Sequence, residues 1–180
     1  MYPWRSQASL QRFFAGLAEY TFQTRLGVAD PPLVGYLAEL LSRFVRLDAI
    51  YAVRDLAGRR LEEIAQMLVE AEQRIGDPKR EIHRHIGDFA LFWTGVYPEA
   101  LDKLRSAHRQ DHFLDYCTQG KRAYYIASTL RTEQNADECA VLERLSHEFE
   151  LCVYGLSEVR REWERRDTDE GESPRPFLIN

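Results

Sequence analysis

Residues 142–163 read LERLSHEFELCVYGLSEVRREW, and their apolar positions Leu142, Leu145, Phe149, Cys152, Leu156, Val159 and Trp163 are spaced alternately three and four apart. That spacing lines the side chains up on one stripe of an α-helix, since a turn takes about 3.6 residues. Such a seam must be covered by other helices, packed nearly parallel or antiparallel at about +20°. It predicts one long helix from about Ala136 to Arg166, opened by Asn135 with Glu138 three residues on in the pattern of a capping box.

The helical period recurs toward the N-terminus. Leu10 to Leu26 reads as a helix with Ser6 or Ser9 as N-cap, Phe13, Phe14, Leu17 and Thr21 on one stripe, and Gly27 at its end. Asp30-Pro31-Pro32 supplies a cap and a first-turn proline for a second helix through Leu33, Leu37, Leu40, Leu41, Phe44, Leu47 and Tyr51. In that helix Asp48 falls beside Phe44 and Tyr51, where a buried carboxylate would need an ion pair or a capping role. A third helix is expected from about Arg60 to Ile75, with Leu61, Ile64, Leu68 and Ile75 facing inward and Glu62 and Glu63 in its first turn. Gly76-Asp77-Pro78 then reads as a left-handed turn, a cap and a first-turn proline, making an αα-hairpin with a fourth helix that carries Ile82, His85, Ile86, Phe89, Phe92 and Trp93.

Beyond Gly95, a short helix is expected from Pro98 to about His108, and another segment from about Gln110 to Leu130 that Gly120 could split. No strand-like alternation competes anywhere, and no solenoid period repeats. The reading is all-α: a single-domain antiparallel helical bundle of about five to seven helices over residues 1–166, with a long C-terminal helix and an acidic tail over 167–180.

Composition narrows the function classes. With 180 residues, 44% of them hydrophobic, the chain can bury a core without disulfides or a structural metal. Of the formal charge of −5, Asp167, Asp169, Glu170 and Glu172 against Arg175 account for −3, so the body carries about −2 and no basic field. That argues against nucleic acid, whose phosphates are bound by a surplus of Lys and Arg. Arg59 to Leu68 resembles the first helix of a helix-turn-helix, but Val69-Glu70-Ala71-Glu72 continues the helical pattern and adds acids where a turn is needed. Cys117, Cys139 and Cys152 are odd in number and show no Cys-x-x-Cys, which fits reduced thiols. The start shows no apolar signal region, and no stretch approaches the roughly 18 apolar residues of a membrane span, so a cytoplasmic protein is expected.

Candidate chemistry concentrates in the fourth helix. Glu81, His85 and Asp88, at i−4, i and i+3, put two carboxylates and an imidazole along one line, with His83 nearby and Trp93 among the aromatics that could wall an apolar pocket. Histidine and carboxylate groups suit zinc, iron or manganese, yet no Glu-x-x-His or His-Glu-x-x-His is present, and no metal or other cofactor is expected. His108 and His112, at i and i+4, would chelate only on an unbroken helix. Nucleophile and phosphate-loop motifs are absent. At the far end Phe177, Leu178 and Ile179 follow the acidic stretch, an apolar triplet suited to docking on a partner or on this chain. The sequence therefore points to a non-enzymatic helical protein–protein interaction module, an adaptor or regulatory subunit with a protein partner or a second copy of itself. The alternative is a metal-dependent or small-ligand-binding protein with its site around Glu81, His85 and Asp88.

Overall fold

The computed structural model describes residues 6–104 and 110–170, and among them every regular element is a helix. The α-helices are α1 (Gln7–Glu19), α2 (Pro31–Phe44), α3 (Leu47–Ile50), α4 (Ile64–Glu72), α5 (Gly76–Gly95), α6 (Leu101–Leu104), α7 (Tyr116–Thr129), α8 (Ala136–His147) and α9 (Phe149–Glu170). The β-type pairing among the described residues is an isolated antiparallel bridge between Arg54 and Arg60. No helix among the described residues is long and apolar enough to cross a membrane. Contacts gather the chain into two compact units. One comprises the described residues up to Ile50 and from Tyr154 onward, the other Tyr51–Val153.

In the first unit, Ser6 caps α1 by accepting the Ser9 N–H at 3.2 Å, and Asp30 caps α2 by accepting from Leu33 at 3.2 Å, both as their residue types predict. Leu17, Phe22, Leu37, Leu40, Phe44, Leu156 and Val159 are buried together with Trp163, whose ring meets Phe14 edge-on at 5.3 Å. The expected first helix is not α-helical to its end, because Tyr20–Arg25 is a π-helical turn. Phe22 from that turn lies so close to α9 that a Cβ on Gly155 would sit 2.1 Å from its ring. Only glycine accommodates that approach.

The second helix is also shorter than its apolar pattern. It ends at Phe44, and a turn at Arg46 precedes the four-residue α3. Asp48 is therefore in solvent rather than buried, paired with Arg46 at 2.7 Å. The apolar spacing continued, but the backbone did not.

The second unit is built on α5, which packs against α4 and α7, with α8 against α7. Its core holds Ile86, Phe89, Tyr124, Leu142, Leu145, Phe149 and Cys152. Gly120 does not split α7. It lies inside that helix, where a Cβ would sit 2.5 Å from Phe149 and 2.9 Å from Ala90, so its missing side chain lets the Phe149 ring and α5 reach the α7 backbone.

Three further expectations are corrected here. The helix foreseen from Ala136 to Arg166 is two helices, because Glu148 leaves helical geometry at φ −102°, ψ 26°. The Glu148 N–H still donates to Arg144 and its carbonyl still accepts from Cys152, so the seam stays buried across the break. Asn135 and Glu138 form no capping box: Asn135 accepts instead from the Thr132 N–H at 2.6 Å, and Glu138 is taken by Arg80 and Arg84. Asp77 does not cap α5, whose N-cap position is Ile75 and carries no side-chain cap, although Gly76 is left-handed at φ 61°.

Candidate functional site

The stretch from Ala52 to Glu63 is not helical, and its conformation is set from a distance. Leu61 donates to the Val53 carbonyl beside the Arg54–Arg60 bridge, and Gly58 turns the chain at φ 80°. Helix α4 starts at Ile64, later than its apolar pattern suggests, because its first turn is capped by a residue 47 positions away. The fully buried Asp111 accepts from the Ile64 and Ala65 N–H groups, each at 2.8 Å, and from the Tyr116 hydroxyl at 2.7 Å. Glu63 returns the arrangement by accepting the Gln110 N–H at 2.6 Å. Four donors are thus satisfied by two carboxylates, and the positive end of the α4 dipole faces the buried negative charge. No local signal near Asp111 announces this role.

Two hollows flank this segment. A groove of about 550 Å³ lies between the 55–61 stretch and α4, walled by Leu56, Leu61 and Val69 with Gln66, Gln73 and Gln110. Leu56 is 69% exposed and Val69 61%. The charges here are already engaged: Asp55 with Arg59 at 2.7 Å, Glu70 with Arg74, and Arg60 over the Tyr51 ring at 5.9 Å. The second hollow, of about 330 Å³, is walled by Val53 and Ile82 and by the charged or ionisable Arg54, Arg74, Glu81, Arg84 and His85.

The structure brings Glu81 and His85 to that second hollow but not the other expected groups. Asp88 is fully buried and accepts the Tyr124 hydroxyl at 2.8 Å, joining α5 to α7. Trp93 is buried in an aromatic cluster with Phe92 at 5.3 Å and Phe89 at 6.1 Å. His83 is buried too, with neither ring nitrogen hydrogen-bonded, and its pKa is lowered by burial, reinforced by the charge of Lys79. Glu72 opposes that shift and Arg122 adds to it. His112 falls in a 3-10 turn, Gln110–Phe113, and His108 lies outside the described residues. Phe177, Leu178 and Ile179 also lie outside them, whereas the α9 backbone runs to Glu170, past the expected end at Arg166. Among the described residues no three His, Cys, Asp or Glu side chains are grouped as a metal ion would require.

Sequence reasoning missed the charged network behind the second hollow. Arg80, almost fully buried, pairs with Glu138 of α8 and with Glu81 at 2.5 Å, while Arg84 reaches Glu81 at 2.7 Å and Glu138 at 3.2 Å. Burial works against the Arg80 charge, but contacts with Cys139 and Glu138 outweigh it and raise the pKa. The i, i+4 spacing of Arg80 and Arg84 was visible, but their shared partner on α8 was not.

The first unit has a third hollow, lined by Tyr20, Arg25, Arg161 and Arg165 with the nearly buried Glu158 and Glu162. Glu158 pairs with Arg25 at 3.2 Å and Arg161 at 2.5 Å. Glu162 pairs with Arg165 at 2.8 Å and Arg166 at 2.9 Å. Hydrogen bonds from Arg165 hold Glu162 below the usual carboxylate range against the opposing effect of burial, and Arg166 adds to them.

No family model, curated protein or solved structure matches this chain. Its function is read from these surfaces.

Proposed function

We propose that this chain is a non-enzymatic interaction module whose recognition surface is the groove between the 55–61 stretch and α4, and that its occupant is an uncharged, apolar-anchored segment of a partner protein. The observation that carries the reading is the pair Leu56 and Val69, two large apolar side chains more than half exposed on the walls of one groove. Exposed apolar groups gathered in a concave surface gain stability when covered, by about 1.5 to 3 kcal/mol for each fully buried side chain. The groove's acids, Asp55 and Glu70, are paired with Arg59 and Arg74, and Arg60 lies over the Tyr51 ring, so the apolar walls rather than a strong field of one sign are what it offers a partner. The amides of Gln66, Gln73 and Gln110 both donate and accept, which suits a peptide main chain. On this reading the protein works in the cytoplasm, with neither membrane nor nucleic acid as partner.

Selection of peptides from a random displayed library against the purified chain tests the proposal. Enriched peptides should share an apolar anchor and lose binding to Leu56→Asp and Val69→Asp, while the exposed control Tyr125→Asp retains it. Failure of any peptide to enrich, or equal binding to Leu56→Asp, refutes the groove. A dimer in sedimentation that Leu56→Asp dissociates would give the groove to a second copy and also refute the partner reading.

A further inference from the structure

We propose, resting on the groove reading above, that the partner segment binds as an extended strand paired main chain to main chain with Arg60, its apolar anchors being two side chains at alternate positions. The two limbs of the stretch between Val53 and Leu61 meet at Arg54 and Arg60. The hydrogen bonds that join them come from the residues on either side: the Asp55 N–H donates to the Arg59 carbonyl and the Leu61 N–H to the Val53 carbonyl, each at 3.0 Å. Arg54 and Arg60 are therefore a non-hydrogen-bonded pair of an antiparallel ladder. In such a pair each residue's own N–H and C=O point away from the opposite limb.

Arg60 is on the limb that walls the groove, whereas Arg54 is on the limb that walls the hollow beside His85. Most other amides of this stretch already have acceptors. Gly58 donates to the Asp55 carbonyl at 2.9 Å, Ala57 and Arg59 to the Asp55 carboxylate at 2.9 and 2.8 Å, and Glu62 to the side-chain oxygen of Gln66 at 3.2 Å. Among the described residues neither the N–H nor the C=O of Arg60 has a hydrogen-bond partner, and its guanidinium lies over the Tyr51 ring at 5.9 Å. Two residues on, the Glu62 amide shows what this edge takes, an amide oxygen supplied from the α4 wall of the groove. A donor and an acceptor held side by side on the edge of a closed hairpin form the template that an added strand pairs with.

The pleat then sets the side-chain spacing. A partner residue opposite Arg60 exchanges two hydrogen bonds with it and carries its side chain on the Arg60 face, and its two neighbours carry theirs on the opposite face, that of Leu61. Leu61 is buried and walls the groove together with Leu56 and Val69. The anchors are therefore those two neighbours, at positions i and i+2. A helical segment would space its anchors three or four apart instead.

Peptides enriched on the purified full chain from the displayed library are the probe, first by their pattern and then by N-methylation. They should share apolar residues at i and i+2. Methylating the nitrogen of the residue between them removes the N–H that the Arg60 carbonyl accepts, and should weaken binding by about tenfold or more. Methylating either apolar residue, whose N–H points away from the hairpin, should weaken it by less than about threefold. Arg60→Pro removes the donor without breaking a hydrogen bond of the hairpin and should weaken binding as much as the central methyl, whereas Arg60→Ala, which keeps the backbone, should not. The methylated peptides read the same contact with the protein unaltered. Anchors three or four apart, or equal loss from central and flanking methylation, overturn the strand, and the groove still stands if Leu56→Asp abolishes binding. If no peptide is enriched, the strand falls together with the groove.

Discussion

The seam over residues 142–163 and the stretch over residues 51–75 both carry apolar residues at helical spacing, yet they are specified in different ways. In the seam each of the seven apolar positions is buried, and the pattern that places them is contained in the residues themselves. In the 51–75 stretch the pattern predicts a helix from Arg60, but the first helical residue is Ile64, because Asp111, 47 residues further along the chain, caps the start and Glu63 accepts in return from Gln110. Leu68 is half-buried, and Ile75, expected to face inward, is 87% exposed. Local periodicity decides which side chains are buried where a whole face is covered. Where it is not, a distant polar group decides.

The largest expected effect tests the seam. Phe149 is fully buried against Gly120 and Tyr124, so Phe149→Ala should cost about 3 to 5 kcal/mol in denaturant unfolding. A loss below about 1 kcal/mol would mean that the seam collapses without cost and that the contrast with the 51–75 stretch is false.

A smaller effect is expected at the distant cap. Asp111→Ala leaves two amides and a tyrosine hydroxyl without their acceptor, and should cost about 2 to 4 kcal/mol. Hydrogen exchange gives the sharper reading: the Ile64 and Ala65 amides should exchange faster in Asp111→Asn under conditions where the amides of α7 do not change. The exposed Asp48→Asn serves as a control that should leave the melting temperature as it is. If Asp111→Asn and wild type exchange alike at Ile64, the cap does not set the start of α4.

The smallest effect depends on pH and concerns His83, a group in α5 that neither region uses. Burial lowers its folded pKa below the ordinary histidine value of about 6.5, so the folded state favours the neutral ring. The stability conferred by that neutrality is complete above the unfolded pKa. It declines as pH falls below about 6.5 toward the folded pKa, since the unfolded chain then binds the extra proton. His83→Leu should flatten the slope of stability between about pH 7 and pH 5. A slope identical in wild type and variant would show that His83 is charged or solvated in the folded protein.

The residues alone determined the helical class, the Ser6 and Asp30 caps, the left-handed turn at Gly76 and the buried seam. Each depends on a side chain and neighbours no more than a turn or two away along the chain, so sequence spacing carries the information. Tertiary structure decided what spacing cannot encode: the break at Glu148, the end of α2 before Asp48, the capture of Glu138 by Arg80 and Arg84, and the turning of Asp88 toward Tyr124. It also drew Glu81 and His85 into one hollow with Arg54 and Arg74, residues with no regular spacing along the chain. A polar group takes whichever partner the completed fold brings within about 3 Å. For Asp111 that partner was the start of a helix 47 residues away.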